Sequence, residues 1–385
     1  MGEEYTKDHI TLILHSTIDY VGRLKKHLET WQGGISIAIL VPNPGGGNDQ
    51  HFVDASKSYY YFQVILRILE APFFIYLKQK NQISIHLYFE KQNFKNCPFI
   101  AIPNDMFNET INLQSIRQHT ITEFYPINVA RNIARKGMKT ELFTSGDIEQ
   151  FYVQNFESRM FKLAKQVLLE EKQNTVIIYR RFEIEEGIPL PTTKEELKVR
   201  LMRKQAISFH DKFYNYGHKI PYFNEWLDRT ENSNESKIVL ILPYENVDWE
   251  PQFVGDSRVP FHDERFPYRF RNNVQLGQHL CFMNFTFSLA SDVFSIHPGV
   301  KKKGSSDHMT ARMIIKQLNP QYLVDLFSTE LSEKYPGREY QCYAFCKYQE
   351  SCQSQVRGFE PILIDFSEVY GYSSKLEFIF IFKLR

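Results

Sequence analysis

The 385-residue chain is 43% hydrophobic and 24% charged, which predicts a folded globular protein and excludes an intrinsically disordered one. Its 46 Lys and Arg balance 45 Asp and Glu, so no bulk charge favours nucleic acid or an anionic membrane surface as a partner. The five cysteines lack C-x-x-C spacing, which argues against a disulfide scaffold and a zinc site.

The amino terminus carries no recognisable targeting segment. Met1 to Asp8 is polar and leads directly into the apolar run Ile10 to Leu14, so we expect the chain to start inside a fold. The apolar stretch Val64 to Leu77 contains charges and a proline and is shorter than the roughly 20 residues that a membrane helix needs. It is typical of a buried helix followed by a strand.

The first part of the chain alternates strand and helix patterns. Strands are predicted at residues 10–14, 35–41 and 83–89, and helices at residues 17–31 and 55–69. This alternation predicts an α/β fold, with a mainly parallel sheet flanked by helices. The glycines between Pro42 and Gln50 lack the Lys-Ser/Thr of a phosphate loop, so this segment is predicted to be a flexible loop.

An acidic residue follows the next predicted helix and strand. Helical spacing begins at Ile127 and ends at Gly137, and a strand at residues 141–144 leads into Ser145-Gly146-Asp147. Ligands of open α/β sheets collect outside the carboxyl ends of the strands. Asp147 is therefore expected where a metal or a nucleotide would bind.

The remaining sequence predicts a second lobe of the same domain. A helix at residues 156–170 and a strand at 175–179 precede a loop-rich region, and a basic loop at 301–307 precedes a helix at 307–317. We divide the chain into two halves of one domain, residues 1–170 and 171–340, and a divergent tail, residues 341–385. The tail ends in a predicted strand at residues 376–384, and the group Cys342, Cys346 and Cys352 is expected to include one disulfide in an oxidising compartment.

Three segments carry a family resemblance. They are Tyr125-Pro126-Ile127-Asn128-Val129-Ala130-Arg131-Asn132-Ile133-Ala134 with the following Asp147, then Trp249-Glu250-Pro251 through Phe261-His262-Asp263-Glu264-Arg265-Phe266, and Phe294-Ser295-Ile296-His297-Pro298-Gly299-Val300-Lys301. In this order and spacing the sequence resembles glycosyltransferase family 49 over about residues 9–340. That family includes β-1,4-glucuronyltransferases and the glucuronyltransferase module of LARGE-type enzymes.

The resemblance implies a GT-A fold and an inverting transfer of a sugar, most simply glucuronic acid, from a UDP-sugar to a glycan or glycoprotein acceptor. It also implies Mn²⁺ or Mg²⁺, because hard oxygen ligands suit an ion that bridges phosphate oxygens. Asp147 matches the second acid of the family's Asp-x-Asp motif, and His297 matches its late histidine. Both are therefore expected to bind the metal.

The remaining candidate site residues follow from the same resemblance. Arg131, Ser145 and Lys301 are expected at the donor, where Arg131 pairs with the sugar carboxylate and Lys301 neutralises charge on the departing diphosphate. An inverting transfer needs a carboxylate that removes the acceptor hydroxyl proton. Asp263 is the favoured base, and Glu264 is the alternative.

Two departures from the family pattern leave other functions open. Ser145 stands where the family has the first acid of Asp-x-Asp, and Phe270 stands where it has a glycine. One alternative is a catalytically impaired homologue that binds a glycan or a partner enzyme. Another is a metal-independent transferase in which Arg131 and Lys301 supply the positive charge.

The resemblance also implies the compartment. The family's enzymes are Golgi proteins with a membrane anchor, and the acceptors Asn108, Asn234 and Asn284 permit glycosylation in the lumen. No anchor is visible in this sequence, so we expect either a soluble luminal form or an incomplete amino terminus. The sequence does not decide between a homodimer and association with a partner glycosyltransferase. Nucleic acid is not expected as a partner.

Overall fold

A mixed β-sheet forms the centre of the protein in a computed structural model that describes residues 8–41, 82–89, 125–303 and 321–342. The strands in these ranges are β1 (Ile10–Thr17), β2 (Ile35–Val41), β3 (Ile83–Phe89), β4 (Leu142–Ser145), β5 (Phe151–Tyr152), β6 (Thr175–Ile184), β7 (Ala206–Ser208), β8 (Ile238–Leu242), β9 (Phe253–Gly255) and β10 (Thr286–Pro298). Their order is β3-β2-β1-β4-β9-β6-β10-β5, with β7 beside β6 and β8 beside β10.

Helices flank the sheet and connect its strands. They are α1 (Leu24–Thr30), α2 (Ile127–Lys136), α3 (Phe156–Ala164), α4 (Lys194–Met202), α5 (Phe223–Asp228), α6 (Val274–Phe282), α7 (Gln321–Lys334) and α8 (Glu339–Cys342). Short 3₁₀ helices at Ile18–Arg23 and Asn215–Gly217 and a π-helix at Lys165–Glu170 complete the described helical structure. None of the helices in the described ranges is long and apolar enough to span a membrane.

The predicted α/β fold with a mainly parallel sheet is confirmed. Strands β1, β2, β3 and β4 are parallel, and β6 and β10 are parallel to each other and to β4. Strand β9 lies antiparallel between β4 and β6 and joins the two groups into one sheet. Because this sheet runs through both predicted halves, they share a single hydrophobic core.

The predicted element boundaries differ from the structure at several ends. The helix predicted at residues 17–31 begins as the 3₁₀ turn, the helix at 156–170 ends in the π-helix, and the strand at 175–179 continues to Ile184. Gly137 ends α2 as predicted, and a Cβ there would clash with the His86 ring. The predicted elements at residues 42–50, 55–69, 64–77, 307–317 and 376–384 lie outside the described residues.

A disulfide joins Cys281 at the end of α6 to Cys342 in α8. The sequence suggested a pairing within the group Cys342, Cys346 and Cys352, and the partner of Cys342 lies outside that group. Packing of α8 against α6 brings the two Cα atoms to 5.7 Å, a distance that only the tertiary structure could set. The first residues of the predicted tail are thus tied to the domain core.

A bulge in β10 contains a buried ion pair. The pairing of β10 with β6 shifts register between Leu289 and Phe294, and Asp292 within the bulge has φ of 58°. Lys194 Nζ lies 2.5 Å from Asp292 Oδ1 and donates to the Trp226 carbonyl at 3.1 Å. The Lys194 and Asp292 side chains are 3% and 5% exposed, so each charge depends on the other for compensation.

We expect His27 in α1 to make stability fall in acid. His27 is fully buried, its Nε2 donates to the Ile148 carbonyl at 2.9 Å, and burial lowers its pKa from 6.5 to about 4. Between these values the unfolded chain binds more protons than the folded one, so stability decreases as the pH falls from 6.5 toward 4. The lowered pKa of His27 corresponds to a loss of roughly 2–4 kcal/mol in the free energy of unfolding at low pH.

Urea denaturation at several pH values measures this effect, with His27→Gln as the matched variant. Glutamine retains a donor for Ile148 but does not titrate, so the variant should lose stability less steeply below pH 6.5. Equal pH slopes for the two proteins would show that His27 does not contribute.

Candidate functional site

A cavity of about 1020 Å³ opens at the carboxyl ends of β1, β4 and β10. His15, Asp147, His297 and Lys301 line it from these three strand ends, and Arg131 lines it from α2. The size is at the upper end for small-molecule pockets. The structure thus brings together four of the residues singled out from the sequence, namely Arg131, Asp147, His297 and Lys301.

Asp147 enters the cavity because the chain leaves β4 sharply at Gly146. The Gly146 amide donates to the Ile13 carbonyl at 3.0 Å, and a Cβ at this position would lie 2.5 Å from the Tyr152 hydroxyl. Asp147 Oδ1 accepts a hydrogen bond from His15 Nε2 at 3.2 Å. Since a carboxylate only accepts, His15 Nδ1 accepts in turn from the Tyr125 hydroxyl at 3.0 Å.

Positive groups surround the Asp147 carboxylate. Arg131 Nη2 lies 3.7 Å from Asp147 Oδ1, and two asparagine side chains on Nη1 anchor the Arg131 guanidinium. Partial burial would raise the pKa of Asp147, but the His15 hydrogen bond and the charges of Arg131 and Arg181 outweigh this and hold the pKa well below its usual range. The side chain is 47% exposed, and that exposed part faces the cavity.

The residues at this site do not fit a divalent ion well. Asp147 Oδ1 is engaged by His15 and Arg131, and His297 Nε2 lies 3.7 Å from Glu149 Oε2. Within the described ranges, no group of three or more His, Cys, Asp or Glu side chains is arranged to hold a metal ion. The predicted metal ligands Asp147 and His297 therefore line one cavity with Glu149, but these three side chains are not gathered around a common point as metal ligands would be.

Ser145 and Lys301 line different cavities. Ser145, the last residue of β4, lines a separate cavity of about 20 Å³, together with Arg131 and Arg135. Lys301 lines the large cavity, with Nζ 5.0 Å from the centre of the Phe213 ring. Serine at position 145 thus does not supply a side chain to the large cavity itself.

The structure does not place Asp263 or Glu264 on the cavity. The Asp263 carboxylate accepts hydrogen bonds from Arg265, which also bonds to Glu330 in α7. Glu264 is exposed and accepts from Asn132 at 2.8 Å. Both carboxylates are hydrogen-bonded to structural partners, which argues against the predicted role of Asp263 or Glu264 as the base.

Helix α2 holds the segment that contains Asp263 and Glu264. Its buried polar face presents Asn128, Asn132 and Arg135, which donate to the backbone carbonyls of Asp263, His262 and Pro260, respectively, at 2.6–2.8 Å. Spacings of three and four residues place these side chains on one helix face. The first two family segments therefore meet each other in the fold, and their contact is structural.

Glu250 also lines the cavity, and no role is predicted for it from the sequence. It is half-buried at the cavity wall, its amide donates to the Gly217 carbonyl, and its carboxylate accepts no hydrogen bond from the described residues. Burial raises its pKa above the usual glutamate value, and the charges of Arg181 and Arg131 partly oppose this. An unpaired carboxyl group of raised pKa is suited to proton transfer.

Comparison with known proteins identifies a family that the chain matches. The family described as "Glycosyl-transferase for dystroglycan" matches residues 9–336. The Danio rerio beta-1,4-glucuronyltransferase 1 is 22% identical over 348 residues, which cover 89% of this chain and 77% of that protein. The Homo sapiens protein of that name is 25% identical over 231 residues, and the match covers 57% of this chain and 50% of the human protein.

The chain spans about half the length of the mammalian beta-1,4-glucuronyltransferases that it matches. The Gallus gallus xylosyl- and glucuronyltransferase LARGE1 is 24% identical over 178 residues, covering 46% of this chain and 22% of that protein. Among solved structures, S. aureus TarS 1-349 aligns with a TM-score of 0.35 and 10% identity, over 93% of this chain and 76% of that one.

Proposed function

The chain belongs to the family of glycosyl-transferases for dystroglycan, and from this premise we propose that it transfers glucuronic acid from a UDP-sugar to a glycan acceptor with inversion. Membership of this family implies the GT-A form of the α/β fold, with which the mainly parallel sheet and its flanking helices agree. The observation that carries the proposal is the cavity at the strand ends, where cationic side chains and an unpaired carboxylate lie together.

The cavity suits a nucleotide diphosphate donor. Arg131, Arg181 and Lys301 line it and supply positive charge for the phosphates. Asp147 holds Arg131 and His15 in place at the end of β4. The donor is therefore proposed to lie across the ends of β1, β4 and β10.

Proton removal is assigned to Glu250 in place of Asp263. In an inverting transfer, the acceptor oxygen attacks the anomeric carbon as the bond from that carbon to the UDP oxygen breaks, and the acceptor proton passes to a base. The Glu250 carboxylate faces the cavity and has no protein partner among the described residues, so it is free to accept that proton. The charge that develops on UDP lies among the cations.

A catalytically impaired homologue is the second candidate, and Ser145 favours it. The acid missing at position 145 removes one ligand from the family's Asp-x-Asp motif. Such a protein would bind a glycan or a partner enzyme without turnover. Binding of UDP with no release of UDP from any UDP-sugar would support this candidate.

We propose a Golgi lumen or membrane location on the basis of the family. The disulfide between Cys281 and Cys342 supports an oxidising compartment, because structural disulfides are rare in the cytosol. Digestion of the secreted chain with a peptide N-glycosidase and thiol counting test this location. Unmodified asparagines together with five free thiols would contradict it.

Release of UDP from nucleotide sugars tests the activity directly. UDP-glucuronic acid, UDP-xylose and UDP-N-acetylglucosamine would each be supplied with a panel of methyl glycosides as acceptors. We expect UDP release and a new glycosidic product with UDP-glucuronic acid as the preferred donor. Failure of the protein to bind UDP at all would contradict the transferase function.

A further inference from the structure

Arg181 presents an unused hydrogen-bonding edge to the cavity. Its Cζ lies 4.2 Å from the centre of the Phe209 ring, and Nη2 donates to His218 Nδ1 at 2.6 Å and to the Glu250 carbonyl at 3.3 Å. Within the described residues, Nε and Nη1 donate to no acceptor. A guanidinium held on one side and unpaired on the other is arranged to receive an anion.

A row of side chains behind Arg181 fixes its orientation. Arg181 can only donate, so His218 Nδ1 must accept, and His218 Nε2 carries the hydrogen that it donates to His210 Nδ1 at 2.9 Å. His210 Nε2–H then faces Glu183 Oε1 at 3.8 Å. Burial lowers the pKa of His210 to about 2 and holds the pKa of His218 well below its usual value, so both rings are neutral.

The fully buried Glu183 connects this row to Lys301. Glu183 Oε2 accepts from the Lys301 amide at 3.3 Å, which holds the backbone of the residue that follows β10 by three positions. Lys301 and Arg181 thus line the same cavity and are positioned by one buried network. The network holds the Arg181 guanidinium and the Lys301 backbone, so both cations are supplied from the wall of the cavity that would receive a diphosphate.

We propose that Arg181 and Lys301 bind the diphosphate of the nucleotide sugar, and that this binding does not require a divalent cation. The inference rests on the proposed function, because it assigns a subsite to the donor. Asp147 then serves as the partner of His15 and Arg131, as its contacts indicate. Arg181 and Lys301 would then supply the positive charge that a metal ion would otherwise supply to the diphosphate.

Calorimetric titration of UDP into the full chain tests the metal dependence. We expect the dissociation constants of UDP measured in EDTA and in Mn²⁺ to agree within about threefold, because UDP and Mn²⁺ would then bind with little coupling. UDP binding that requires Mn²⁺ would overturn this inference and leave the proposed transferase intact. Absence of UDP binding in both buffers would contradict the proposed function itself.

Variants test the phosphate subsite. Arg181→Gln should weaken UDP binding in EDTA by about 10–100-fold, because a charge-assisted hydrogen bond to phosphate is lost. The affinity for uridine, which lacks phosphate, should be unchanged. Lys302→Gln removes an adjacent exposed charge and should leave UDP affinity as it was.

Arg181→Lys keeps the charge without the planar guanidinium and is expected to bind UDP more tightly than Arg181→Gln. Circular dichroism shows whether each variant is folded. If Arg181→Gln does not fold, Arg181→Lys still tests the role of the guanidinium. An equal loss of uridine and UDP affinity in the variants would overturn the assignment of Arg181 to the phosphates.

Discussion

Replacing Glu250 with glutamine is expected to lower the rate of sugar transfer by about 10²–10⁴-fold, the usual contribution of a general base. Glutamine has nearly the same shape, and the hydrogen bonds of Glu250 with the described residues involve its backbone, so folding should be preserved and UDP binding should not be weakened. The measurement is UDP release from UDP-glucuronic acid with and without acceptor, alongside calorimetric titration of UDP.

The pH dependence of the same reaction gives a second observable. Burial raises the pKa of Glu250, and a base is active only when deprotonated, so the rate should fall as the pH drops through that raised value. The rate of Glu250→Gln should not show this fall at low pH. Asp263→Asn is the discriminating control, because its carboxylate contacts Arg265 away from the cavity. Loss of transfer in Asp263→Asn with normal rates in Glu250→Gln would restore Asp263 as the base.

Replacing Lys194 with methionine is expected to reduce the free energy of unfolding by about 3–5 kcal/mol, the typical cost of removing one partner from a buried pair. Methionine is similar in length, so the main consequence is an uncompensated Asp292 carboxylate in the β10 bulge. The midpoint of chemical denaturation, followed by circular dichroism, measures this loss.

Lys198 provides the matched control for this prediction. It lies one helical turn further along α4 and pairs with Asp228 at the surface, so Lys198→Met should leave the midpoint unchanged. The double variant Lys194→Met/Asp292→Asn should be more stable than Lys194→Met, because no buried charge remains and asparagine tolerates a positive φ. Equal stability of Lys194→Met and the parent protein would show that the pair is not ionised.

Local patterns predicted the elements that hold the cavity. The apolar runs of β1, β2 and β3 and the helical spacing of α2 identified these elements, because their periodicity depends on neighbouring residues alone. Asp147 was identified in the same way, from a strand that ends at Ser-Gly-Asp. The position of its side chain in a cavity at the strand ends follows from the parallel direction of β1 and β4.

The fold explains why the sequence favours Asp263 over Glu250, the base that we propose. Asp263 and Glu264 form a conspicuous acidic pair, but hydrogen bonds from α2 turn that segment into a structural contact. Glu250 stands alone in Trp-Glu-Pro, and nothing in its neighbours marks it as half-buried beside two arginines. Its place in a segment that carries the family resemblance is the signal in the sequence that points to it.

The α/β class, the family and the place of Asp147 after β4 follow from local patterns, because periodicity and motifs are read in order along the chain. Which charged groups meet depends on the tertiary fold. His15, Arg181 and Glu250 come from distant segments, and they line one cavity because β9 joins the two groups of parallel strands into one sheet. Electrostatic interactions in a cavity depend on distances of a few ångströms, and those distances are set by packing across the whole sheet.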